Sequence, residues 1–247
     1  MAIEYVFNYD FSDDYLSWLD KIENFKFKKS NCKEIYNGYC VEDLRKLQST
    51  IIEENNSSFA FYYSIEYGFN LHVMQNLIIK NKNPKYAYLF AKSIPTSDVK
   101  KLQEVVLKSK KIKYICAFAC FVPHADIKLI DKMVLKTKNS KYAHMMVKHV
   151  KNIDINKYKK IILDSKKPRY IFELAKHLTN KKDVNLAEDL IIASKSSNYI
   201  RLFAEKIKQA NIEKLESAIL NLGDASQIKK FAKNVKKSKM KNFLLLG

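Results

Sequence analysis

A tyrosine recurs at Tyr86, Tyr114, Tyr142, Tyr170 and Tyr199, in steps of 28, 28, 28 and 29 residues. A fixed period of this length constrains the fold more than any other feature, because each repeat must be one small supersecondary unit. The residues around each tyrosine say which unit. Four positions on come Phe90, Phe118, Met146, Leu174 and Phe203, and next to these Ala91, Ala119, Val147, Ala175 and Ala204. Eight positions on come Ile94, Val122, Val150, Leu178 and Ile207. Apolar residues at i, i+4, i+5 and i+8 mark one face of a helix.

A short polar turn then ends in Asp98, Asp126, Asp154, Asp183 or Asn211. These residue types cap helices, because the side-chain oxygen accepts from a free backbone N–H of the first turn. A second apolar face follows: Val99, Ile127, Ile155, Val184 and Ile212, then Val106, Val134, Ile162, Ile191 and Ile219. Beside the last set run Leu107, Leu135, Leu163, Ile192 and Leu220. The extra residue of the fourth unit falls in "TNKKD", which the spacing assigns to a turn. Matches upstream and downstream bring the expected number of helix pairs to about seven. No helical hairpin of this size buries its apolar face alone, so neighbours must stack. The expectation is an all-α chain, an α-solenoid of short helix-turn-helix repeats over residues 28–247. It resembles the HEAT-like and tetratricopeptide-like α-solenoids in architecture, although its period is shorter than their ~33 to ~47 residues.

Residues 1–27 read differently. "IEYVFNYDF" alternates Ile3, Tyr5, Phe7, Tyr9 and Phe11 with a strand-like period of two. "SDDYLSWLDKI" follows as a helix capped by Ser12. This segment is expected to be an acidic, aromatic cap over the first open face, with Trp18 in its core.

Composition bounds the rest. Hydrophobic residues make up 47% of the 247, and Gly and Pro number 4 each, which disfavours an all-β fold. Cys32, Cys40, Cys116 and Cys120 are too few and too irregular for a disulfide framework. No leader and no long apolar run is evident, so an intracellular, cytoplasmic location is expected. The net charge of +19 is uneven. Residues 1–60 hold 7 basic and 11 acidic residues, or −4, and the remaining 38 and 15 give +23. Such asymmetry points the second part towards an acidic partner or a polyanion.

The lysines concentrate in the loops between repeats: "KNKNPKY", "KSKKIKY", "KTKNSKY", "DSKKPRY" and "ASKSSNY". Cations entering a helix N-terminus oppose its macrodipole, and an anion bound there would relieve them. The candidate binding ridge is Lys80, Lys82, Lys85, Lys108, Lys110, Lys111, Lys113, Lys136, Lys138, Lys141, Lys166, Lys167 and Arg169. The competing reading is a solvated edge, since surface charge runs usually serve solubility. A second column, Tyr88, Cys116, His144, Phe172 and Arg201, lies two residues after each tyrosine. It either lines a groove for a ligand or packs adjacent first helices, and the sequence leaves both open.

Cys116, Cys120, His124 and His144 do not combine into a metal site, because Pro123 interrupts the helix and too few ligands converge. No cofactor signature, Gly-rich phosphate loop, HExxH or GxSxG occurs. The HEAT-like alkylpurine DNA glycosylases are similar in length and basicity. That resemblance implies an aromatic-lined pocket with a catalytic Asp, and the repeats offer neither a Trp nor a fitting Asp. The expectation is therefore a non-enzymatic module for a protein partner, with an acidic or helical segment as ligand. Sequence-independent nucleic-acid binding through phosphates is the alternative. The C-terminal "KKFAKNVKKSKMKNFLLLG" is expected to cap the last face, or to serve a homodimer.

Overall fold

The period becomes a succession of short helices in a computed structural model, which describes residues 13–25, 32 and 34–242. The strand-like stretch Ile3–Phe11, the cap Ser12 and the terminal Phe243–Gly247 lie outside the described residues. Helix α1 (Asp13–Asn24) is followed by a two-stranded hairpin, β1 (Ile35–Tyr36) and β2 (Tyr39–Cys40), paired antiparallel with Ile35 opposite Cys40. Then come α2 (Val41–Glu53), α3 (Ser57–Tyr67), α4 (Leu71–Lys80), α5 (Pro84–Ser93), α6 (Val99–Lys108), α7 (Ile112–Phe121) and α8 (Ile127–Lys136). The chain continues through α9 (Ser140–His149), α10 (Ile155–Asp164), α11 (Pro168–Ala175), α12 (Lys181–Ala193), α13 (Ser197–Lys206), α14 (Ile212–Leu222) and α15 (Ala225–Asn234). A 3₁₀ turn, Lys239–Asn242, closes the described residues.

The chain forms two compact units, residues 1–130 and 131–247. Within the first, α1 packs on α3, α3 on α5, and α5 on α7, while α4 packs on α3 and α6 on α5. Within the second, α9, α11, α13 and α15 pack in order. The fold is all-α and solenoid-like. Most of these helices are about three turns long, too short to hold alone, so their stability comes from the packed faces.

Those faces are the expected ones. Phe90, Phe118, Met146, Leu174 and Phe203 are fully buried, as are Ile162, Ile191 and Ile219. Burying each such side chain contributes about 1.5–3 kcal/mol. The second-helix face sits slightly rotated from the sequence reading: Leu102, Ile130, Tyr158, Ala187 and Leu215 join its centre. Leu107, Leu135 and Ile192 are only half-buried, and Leu220 is 49% exposed. Trp18 is fully buried against Phe59, Tyr62 and Tyr67, with Nε1 donating to Glu66 at 2.9 Å.

Four of the five expected caps hold. Asp98, Asp126, Asp154 and Asn211 accept from N–H groups two or three residues on. Asp183 does not. Helix α12 starts three residues earlier, capped by Asn180 from the N–H of Lys182 at 2.8 Å. Most of "TNKKD" is thus helix rather than turn. Asp183 instead pairs with Lys159 at 2.7 Å. One bridge, Cys32–Cys40, ties the approach to the hairpin; it is a single closure, not a framework.

A polar ladder fastens one hairpin to the next. Its residues, Gln48, Gln75, Gln103, Asp131, Lys159, Glu188 and Glu216, fall in the repeat register on the second helices. Gln75 Oε1 accepts from the Asp98 N–H at 2.7 Å, and Gln103 Oε1 from the Asp126 N–H at 2.8 Å. Glu188 does the same for Asn211 at 2.7 Å. Asp131 accepts from the Tyr158 hydroxyl. Each holds the start of the following second helix.

Candidate functional site

The loops between hairpins are only two or three residues long, and their backbone explains the lysines' position. Asn55, Lys82, Lys110, Lys138, Lys166 and Lys195 all adopt φ between 49° and 56°, and Gly223 has φ 69°. This is the left-handed position that ends a helix, which Gly or Asn normally fills. Lysine there pays a steric cost of roughly 1–2 kcal/mol. The preceding residue is Ser109, Thr137, Ser165 or Ser194, whose hydroxyl donates to the carbonyl three back and accepts from the N–H two on. The turn is pinned, and the lysine side chain is thrown outward. Neither the left-handed column nor the hydroxyl column was picked out from sequence, although both repeat visibly.

Of the ridge residues, Lys80, Lys82, Lys108, Lys110, Lys111 and Lys113 are exposed in the first unit. Lys136, Lys138, Lys141, Lys166, Lys167 and Arg169 are exposed in the second. Lys108 pairs with Glu104 at 3.6 Å. None of Lys82, Lys110, Lys138, Lys166 and Lys195 forms an ion pair among the described residues. Lys111 and Lys167 occupy helix N-cap positions without a side-chain cap.

Lys85 differs. It is half-buried and donates to the Asp14 carboxylate at 2.7 Å, and Asp14 also accepts from the Tyr86 hydroxyl. These two bonds hold the Asp14 carboxyl below the usual carboxylate range, against the opposing effect of burial. Burial, and then this bond, push the Tyr86 phenol up. A shallow cleft of about 650 Å³ lies here, lined by Asp14, Asn55, Ser57, Lys80, Asn83 and Tyr86 among others.

The second candidate column is largely interior. Cys116 is fully buried, His144 and Phe172 are 6% exposed, and Tyr88 and Arg201 are half-buried. His144 stacks on Tyr170 with centroids 4.5 Å apart, and Phe172 lies 6.0 Å from Tyr199. Arg201 is held by Gln227, Glu205 and Asn198. The column packs first helices against one another. Burial lowers the His144 pKa to about 4, and its Nδ1 has no hydrogen-bond partner among the described residues. The Cys116 thiol is pushed up by its bond with Cys120 and by burial, which leaves it unreactive.

Among the described residues no group of three or more His, Cys, Asp or Glu side chains is placed to hold a metal, and no helix is long and apolar enough to cross a membrane. The chain matches no protein-family model, no curated protein and no solved structure. Its class is therefore defined by the fold: an all-α chain of stacked helical hairpins with a lysine thrown from successive loops.

Proposed function

We propose that the chain is a non-enzymatic interaction module whose inter-repeat loops engage an acidic or helical segment of a protein partner. The observation that carries this reading is the left-handed loop column. Lysine occupies a backbone position that favours glycine in five successive loops, and in each it stands exposed and, among the described residues, without an ion pair. Solubility does not need that placement, because lysine on any exposed helix face supplies it without backbone strain. Acidic side chains of a partner would meet the lysines together with the N–H groups of the following helix.

The test is fluorescence anisotropy at two salt concentrations, with a labelled acidic helical peptide and with an oligonucleotide of arbitrary sequence. Peptide binding should be lost on reversing Lys110, Lys111 and Lys113 to Glu, with the helical circular dichroism kept. Binding of the oligonucleotide alone, with a steep salt slope, would replace this reading by the nucleic-acid one. Binding of neither would end both.

A further inference from the structure

Within the first unit the chain supplies its own example of an occupied basic corner. Asp14, 71 residues ahead of Lys85, places its carboxylate on Lys85 Nζ and the Tyr86 hydroxyl. Lys85 and Tyr86 are the second and third residues of α5. Lys113 and Tyr114 are the second and third residues of α7. The two pairs share a geometry. Lys85 Nζ lies 5.0 Å from the centroid of the Tyr86 ring, and Lys113 Nζ lies 5.6 Å from that of Tyr114. At the first pair the ammonium and the phenol hydroxyl donate to one carboxylate.

The surroundings of the two corners differ in ways that favour an external ligand at the second. Asn83 caps α5 by accepting from the Lys85 N–H at 3.1 Å, whereas Lys111 stands at the α7 cap without a side-chain acceptor. Lys110 and Lys111 add two exposed cations there. Tyr86 is 3% exposed and Tyr114 is half-buried. Lys113 forms no ion pair, and the Tyr114 hydroxyl no hydrogen bond, among the described residues.

We infer that the Lys113–Tyr114 corner binds a carboxylate of an acidic partner segment, in the arrangement Asp14 makes at Lys85–Tyr86. This rests on the reading given under Proposed function and names its contact. The occupant is an Asp- or Glu-bearing protein segment because the seated example is a carboxylate from an acidic helix, and the sequence beyond residue 60 is strongly basic. Two donors converging on a carboxylate, one of them charged, give a bond stronger than a neutral one.

The probe is a fluorescein-labelled Ala/Glu helical peptide, with an Ala/Gln peptide as control and full-length protein throughout. Lys113→Gln and Tyr114→Phe are each expected to weaken Ala/Glu binding by about fivefold to tenfold, as removal of a charge-assisted hydrogen bond does. Tyr114→Phe keeps the ring, so the packing of α7 is preserved. Lys100→Gln removes another exposed lysine, from α6, and should change binding less than about twofold, the cost of one screened surface charge. Equal losses at Lys100 and Lys113, or no effect of Tyr114→Phe, would overturn the corner while leaving acidic-peptide binding intact. Failure of the wild-type chain to bind the Ala/Glu peptide would instead overturn the broader reading with it. Weakening of oligonucleotide binding alone by Tyr114→Phe would assign the corner to phosphate and overturn the inference.

Discussion

Replacing His144 by phenylalanine should remove an acid-sensitive weakness from the second unit. The imidazole is 6% exposed and stacked on Tyr170, and burial sets its folded pKa to about 4 against an ordinary 6.5. Glu173 favours the charged form, while Lys148, Arg169 and His149 oppose it. The folded state thus prefers the neutral ring. As pH falls below 6.5 the unfolded chain takes up the proton first, so stability is complete above that value and is lost on the way to pH 4. Linkage over this window gives a loss of about 2 kcal/mol at pH 5 and about 3 kcal/mol at pH 4. Phenylalanine already fills the equivalent position at Phe172, so His144→Phe fits the packing and has nothing to titrate. Urea unfolding followed by circular dichroism at pH 7.5 and pH 5 measures the effect. The wild-type chain should lose about 2 kcal/mol more than the variant between the two values. His149, whose pKa burial also lowers, contributes to both equally. An identical drop in the two proteins would refute the argument, as would an NMR titration placing His144 near 6.5.

Glu188 tests the same linkage with the opposite sign. Burial raises its carboxyl pKa in the fold, so its contribution is fully present at low pH and is lost as pH rises past the ordinary glutamate value. Glu188→Gln keeps the acceptor for Asn211, copies Gln75 and Gln103, and should hold or raise the urea midpoint at pH 7 while abolishing that dependence. A marked fall at pH 7 would mean that the 3.8 Å pairing with Lys214 outweighs the burial. Lys110→Gly relieves the left-handed strain as Gly223 does, and should stabilise by roughly 1 kcal/mol in thermal unfolding. A lower melting temperature would contradict the strain argument.

Repetition made the helix faces readable. A position that is apolar in five successive units is core, whatever a single unit contains, and so Phe90 through Phe203 were visible at once. Where residue type varies along a column, that signal disappears. The ladder passes from Gln103 to Asp131, Lys159 and Glu188, and only distances reveal that each fastens the next turn. Asp183 has the residue type and spacing of a cap, but Asn180 three residues earlier takes that place because α11 ends short at Ala175. The exposure of the loop lysines followed from their clustering. The seating of Asp14 on Lys85 did not, because a contact across 71 residues leaves no periodic trace. Nor did the burial of Cys116 and His144, since a variable column looks the same whether it lines a groove or fills an interface.

The ladder also bears on how such an array can grow. At Gln75 and Gln103 the fastening is an amide oxygen on a backbone N–H, which any residue but proline supplies. A hairpin copied and inserted beside these would find its joint ready-made. At Asp131–Tyr158 and Lys159–Asp183 the joint is a matched pair of side chains, so a copied hairpin would bring the wrong half. Duplication of units is thus easier at the joints made to a backbone N–H, Gln75, Gln103 and Glu188, than at the paired ones, Asp131–Tyr158 and Lys159–Asp183.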